Sequence, residues 1–80
     1  MKTVTVISKD NCHLCDTAKN EILKAQKKIG FILIEKKITL GSPEFDTYHE
    51  RVPVVLIDGE IAFQYKVSEL QLLKILNKRN

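Results

Sequence analysis

The feature that most constrains this chain is its pair of cysteines, Cys12 and Cys15. They sit between an apolar run, Val4-Thr5-Val6-Ile7, and a stretch of helical periodicity from Thr17 to Ile29. A Cys-x-x-Cys placed where a strand hands over to a helix puts a thiol among the unpaired N–H groups that open the helix, and these favour thiolate. With two residues between the cysteines, a bridge barely restricts the unfolded chain and makes a poor structural staple. The spacing points to redox chemistry, with Cys12 as nucleophile and Cys15 as the thiol that resolves its mixed disulfide.

Eighty residues make one domain, residues 1–80, and a chain of that length buries about 60% of its unfolded surface in one modest core. With 44% hydrophobic and 29% charged residues, it is too apolar for disorder. No apolar run approaches the roughly 20 residues that span a bilayer. Met1-Lys2-Thr3 leads straight into a strand with no signal-peptide core, so a cytoplasmic, reducing location is expected, with no membrane partner. The net charge of +3 is spread over Lys19, Lys24, Lys27 and Lys28 and over Lys74, Lys78 and Arg79. Without an RNP-like aromatic motif or helix-turn-helix spacing, these read as solvated helix faces, and no nucleic-acid partner is expected.

The first strand is expected at Lys2–Ser8, apolar on both faces and therefore central in a sheet. The helix that follows should run from about Cys12 to Ile29, with Asn11 as N-cap and Gly30 as C-cap, and should bury Cys15, Ala18, Ile22, Ala25 and Ile29. Phe31–Ile38 is a second strand, parallel to the first because a helix joins them. Ser42 and Pro43 open a short helix to about Glu50. Val54–Ile57 and Ile61–Gln64 pair as a hairpin across Asp58-Gly59. Ser68-Glu69-Leu70-Gln71 reads as a capping box for a last helix reaching Lys78, with Leu70, Leu73 and Leu76 inward. This β-α-β-α-β-β-α order, a four-stranded mixed α/β sheet with helices on both faces, resembles the thioredoxin-like layout.

Lowering the pKa of Cys12 does little for attack. An ordinary thiol is about 3% ionised at pH 7, so full ionisation gains about 30-fold. A Brønsted slope near 0.45 returns most of that as lost nucleophilicity. The larger effect is on Cys12 as a leaving group, when a thiol displaces it from a mixed disulfide. Lys9 and His13 are the expected thiolate-tuning residues, opposed by Asp16. Val52-Pro53 precedes an apolar strand, a position where proline can only begin the strand. In a thioredoxin-like fold it is a cis-proline facing the dithiol.

Lys9-x-x-Cys12-x-x-Cys15, the Arg51-Val52-Pro53 loop, the Asp58-Gly59 turn and the element order together resemble the glutaredoxins, in particular small glutaredoxin-like proteins with a Cys-His-Leu-Cys site. The resemblance implies that Cys12 attacks mixed disulfides, that Lys9 favours its thiolate, and that Val52, Pro53 and Arg51 border the substrate. It also implies a monomer with no bound cofactor or metal. The partners would be protein or low-molecular-weight disulfides, with glutathione as a candidate co-substrate or thioredoxin reductase as a candidate reductant. Three departures stand out. His13-Leu14 replaces the usual Pro-Tyr, Arg51 replaces Thr, and Phe63-Gln64-Tyr65-Lys66-Val67-Ser68 replaces the Gly-Gly and Cys-Asp that grip glutathione. Two other readings come from the residues themselves: a dimer sharing zinc or an iron–sulfur cluster through Cys12 and Cys15, and a non-catalytic binding module. His49 and Tyr48 read as surface residues of the short helix.

Overall fold

The computed structural model describes residues 2–78; Met1 and Arg79, both used in the sequence reading, lie outside them. Strand β1 (Thr3–Lys9) leads into α1 (His13–Lys28), then β2 (Ile32–Ile38) and the short α2 (Pro43–Tyr48). Strands β3 (Val54–Ile57) and β4 (Glu60–Gln64) follow, and α3 (Glu69–Lys78) closes the chain. The sheet order is β2-β1-β3-β4. β1 pairs parallel with β2 and antiparallel with β3, and β4 pairs antiparallel with β3. This is the thioredoxin-like order expected from the sequence, with β1 central.

Alternation along β1 builds two cores. Val4 and Val6 face α1 and α3 and join Ala18, Ile22, Leu72 and Leu76. Ile7 faces the other way and packs with Ile38, Val52, Val54 and Cys15, with Phe45 and Tyr48 of α2 against them. Because α2 has only six residues, it covers one end of its sheet face. Ile32, Ile34 and Ile61 remain about half exposed at the other end. The second half of the edge strand β2 is charged: Glu35 pairs with Lys19 (2.7 Å), Lys36 with Glu44 (2.7 Å) and Lys37 with Asp10 (3.0 Å). Charged edges of this kind discourage strand addition.

The helix ends depart from expectation. Asn11 adopts a left-handed φ of 56°, and Cys12, not Asn11, is the N-cap of α1. At the other end Ile29 is the C-cap, extended, with its N–H still bonded to the Ala25 carbonyl (2.9 Å). Gly30 is not left-handed. Phe31 is buried immediately afterwards and Ile32 N–H already bonds Lys2 (2.9 Å), so the chain straightens into β2 without a left-handed stop. Pro43 opens α2, but the Ser42 hydroxyl makes no cap bond. The Asp58-Gly59 turn has positive φ at both residues, as a tight hairpin requires.

In α3 the buried stripe is Leu72 and Leu76, with Leu73 partly covered and Leu70 exposed. Tertiary contacts set that rotation. Glu21 of α1 accepts from the Glu69 N–H (3.2 Å) and Lys28 pairs with the Glu69 carboxylate (2.6 Å), fixing the start of α3 against α1. The Ser68 hydroxyl accepts from the Gln71 N–H (3.5 Å), the N-cap half of the expected box.

Leu72→Ala should cost about 2–5 kcal/mol in urea unfolding, whereas Leu70→Ala should stay within about 0.5 kcal/mol; equal costs would contradict this rotation of α3. The Glu69 N–H, and then the Lys24 ammonium, hold the Glu21 carboxyl below its ordinary value. A depressed pKa contributes stability above the ordinary carboxylate range and loses it as pH falls through the folded-state value. Glu21→Ala should therefore lower the unfolding midpoint at pH 7, with a gap to wild type that narrows in acid.

Candidate active site

The end of β1 and the start of α1 meet at Cys12. Left-handed Asn11 turns the chain so that Cys12, extended (φ −116°), aims its sulfur along the helix start. There Cys12 Sγ accepts the Cys15 N–H at 3.2 Å. One of the four unpaired N–H groups of the helix start is thus satisfied by the reactive sulfur itself. The two sulfurs are paired as a disulfide, with Cα atoms 5.2 Å apart. Cys12 is half-buried and borders an open groove, whereas Cys15 is only 5% exposed. An incoming disulfide therefore meets Cys12 first, and Cys15 attacks only from within.

Val52-Pro53 is a cis peptide bond, as expected. Pro53 is fully buried and Val52 nearly so, and Val52 lines the groove beside Cys12. Among the described residues, the backbone N–H and C=O of Val52 take part in no hydrogen bond. Buried backbone groups rarely stay unpaired, and this pair borders the groove.

The groove, about 470 Å³, runs from His49 and Glu50 past Lys9, Cys12 and Val52 to Leu14 and Tyr65. Lys9 borders it, with its ammonium donating to the His49 carbonyl at the end of α2 (3.0 Å). His13 is exposed on the groove rim as the first residue of α1. Arg51 is exposed and is not among the lining residues; its N–H bonds the Tyr48 carbonyl (2.7 Å). His49 and Tyr48 are half-buried. His49 stacks on Phe45 (ring centroids 4.8 Å apart) and its Nδ1 donates to the Phe45 carbonyl (2.7 Å). A second, polar cavity of about 160 Å³ shares Lys9, Asn11 and Cys12 with the groove and is also lined by Cys15, Ser8, Asp16, Lys19, Glu35 and Lys37. Among the described residues no three His, Cys, Asp or Glu side chains gather as a metal-ligand set.

Sequence reasoning missed Tyr65. Its φ is 69°, and the Lys66 N–H closes a three-residue turn onto the Gln64 carbonyl (2.8 Å). A turn of this kind with positive φ is rare and strained. Asn11 and Asp58 are of the residue types that tolerate left-handed backbone best after glycine. For a bulky residue the cost is about 1–3 kcal/mol, and such residues cluster at functional sites. The Tyr65 N–H also donates to the Pro53 carbonyl (2.9 Å), tying this strained turn to the cis-proline. A bulky residue where the resembled family has glycine was the available signal.

The architecture and the cysteine pair at a helix start define a thioredoxin-fold protein. The chain belongs to the glutaredoxin-like domain (DUF836) family, whose model matches residues 3–77. A structural-genomics target protein from X. campestris is 24% identical and superposes with a TM-score of 0.78 over 94% of this chain and 96% of that one. Thioredoxin-2 of the malaria parasite (20% identity, TM-score 0.65) matches 98% of this chain and 82% of its own. Thioredoxin of Aeropyrum pernix (10% identity, TM-score 0.66) matches 99% of this chain and 75% of its own. At these identities the structures share the fold.

In the reduced protein, iodoacetamide should label Cys12 well before Cys15, and labelling of a Cys15→Ser variant should rise at a pH below the ordinary thiol midpoint of about 8.5. A midpoint at or above that value would mean that the helix start does not stabilise the Cys12 thiolate.

Proposed function

We propose that this protein is a small thiol–disulfide oxidoreductase. The observation that carries the reading is the division of the two sulfurs: Cys12 caps a helix start and faces a groove, while Cys15 lies buried behind it within bonding reach. A bound substrate disulfide would meet the Cys12 thiolate, which forms a bond to one substrate sulfur. The other substrate sulfur leaves as a thiolate and takes a proton from water. Cys15 then gives its proton to water and attacks Cys12 Sγ, closing the Cys12–Cys15 disulfide and expelling the second substrate sulfur as a thiolate, which takes a proton in turn. The substrate has gained two electrons and two protons, and the protein is oxidised. A thiol reductant, with glutathione or a thioredoxin reductase as candidates, returns the pair to the dithiol.

The helix start supports both halves of this cycle. Unpaired N–H groups and the positive end of the helix dipole stabilise Cys12 as the attacking thiolate and, when the reductant regenerates the dithiol, as the leaving group. Substrate would lie along Val52, whose free backbone groups suit pairing with an extended chain. Lys9 and His13, at the groove rim, supply positive charge and a titratable ring beside the thiolate.

Two assays test the proposal: reduction of a glutathione or peptide mixed disulfide, and reduction of the oxidised protein by thioredoxin reductase with NADPH. Turnover in at least one is expected. Cys12→Ser should bring it to the uncatalysed rate. Cys15→Ser should accumulate a Cys12 mixed disulfide visible as a mass shift. Activity that survives Cys12→Ser would rule the proposal out.

A further inference from the structure

Taking the oxidoreductase reading as its basis, we propose that Tyr65 selects the disulfide. The hollow between Leu14, Tyr65 and Val67 takes an apolar side chain two residues from the cysteine under attack, so the substrates are polypeptide disulfides in preference to oxidised glutathione.

The groove does not end at Tyr65. Leu14 and Tyr65 line both it and an adjoining hollow of about 130 Å³, whose other lining residues are Thr17, Ala18, Lys66 and Val67. That volume falls well below the roughly 300 Å³ at which small-molecule sites begin and suits one side chain. Ala18 and Val67 are buried, whereas Leu14 and Tyr65 are 40% and 47% exposed. Covering their apolar surface is favourable, and the hollow is continuous with the groove that brings a disulfide to Cys12.

Backbone geometry sets which side chain arrives there. In an extended chain, residues i and i+2 point to the same face about 6.6 Å apart. A strand paired along Val52 with its cysteine toward Cys12 therefore offers its i±2 side chains to that same face, where Leu14 and Tyr65 line the groove. Tyr65 cannot drift from this arrangement. The bond from its N–H to the Pro53 carbonyl fixes it to the residue after Val52, and the Gln64–Lys66 turn holds its left-handed backbone.

Lys9 at the groove and Lys66 at the hollow offer a small anionic thiol charge, but the start of α3 offers it few free donors. A helix start is a natural carboxylate site, but in α3 the Glu69 N–H is taken by the Glu21 carboxylate (3.2 Å) and the Gln71 N–H by the Ser68 hydroxyl (3.5 Å).

The test compares initial rates of reduction by the reduced protein for three symmetric disulfides: those of the pentapeptides Phe-Gly-Cys-Gly-Phe and Gly-Gly-Cys-Gly-Gly, and oxidised glutathione. Released thiol is followed by chromatography. The phenylalanine peptide should react at least about tenfold faster than the other two, in line with the discrimination one apolar contact provides. That ratio should fall to within about twofold in Tyr65→Ala and in Tyr65→Gly, and persist in Tyr65→Phe. Tyr65→Gly, relieved of the left-handed strain, should keep or raise the thermal midpoint, so that its lost selectivity is not lost folding. Equal rates on all three substrates, or an undiminished ratio in Tyr65→Ala, would overturn the selection while leaving the oxidoreductase reading intact. No reduction of any of the three would overturn both.

Discussion

One hydrogen bond organises this molecule: the Cys15 N–H donating to Cys12 Sγ at 3.2 Å. The sulfur stands in for the Ser, Thr, Asp or Asn oxygen that usually caps a helix. A single atom therefore completes the helix and carries the chemistry. Both roles favour negative charge, since a thiolate accepts from the N–H better than a thiol and the helix start stabilises it. The cap also fixes depth. Cys12 lies outside the first turn and Cys15 one turn in, so that one sulfur meets the groove while the other packs with Ile7, Ile38, Val52 and Val54.

Around that bond, segments distant in sequence converge at one end of the sheet. β1 delivers Lys9 and Asn11, the loop before β3 delivers Val52 and Pro53, and the turn after β4 delivers Tyr65. Hydrogen bonds pin these segments to one another: Lys9 to the His49 carbonyl, and Tyr65 to the Pro53 carbonyl. The site thus sits on a rigid frame, with local strain concentrated in Tyr65. Among the described residues, nothing pairs with the backbone of Val52. Strain and unpaired groups at the same groove are consistent with a surface shaped for a ligand at some expense to stability.

Much of the fold was legible because its signals are local. Alternation in Val4–Ile7 and the three- and four-residue spacing from Cys15 to Ala25 each specify an element and the face it buries. Pro53 before an apolar strand, with a Cys-x-x-Cys upstream, marked the second half of the site. Misreadings fell where local rules leave a choice. Asn11 is the better cap by preference, yet its left-handed backbone passes the role to Cys12. Leu70, Leu72, Leu73, Ile75 and Leu76 offer two overlapping stripes on one helix, and only the Glu21 and Lys28 contacts to Glu69 turn Leu72 inward. No turn-forming residue type announced that Tyr65 is left-handed; the Gln64–Lys66 turn that holds it is itself tied to Pro53, twelve residues away in the chain.

The sequence by itself determined the element order, the core faces and the redox pair, because periodicity and the Cys-x-x-Cys spacing act within a few residues. Tertiary structure decided how the pair is presented: which residue caps α1, which sulfur is open, and what lines the groove. These depend on contacts between β1, the Val52-Pro53 loop, Tyr65 and Leu14, which the chain brings together only when the sheet closes. The physical reason is range. Backbone propensity and side-chain alternation are short-range, whereas a groove is a cavity between segments and exists only once all of them are packed.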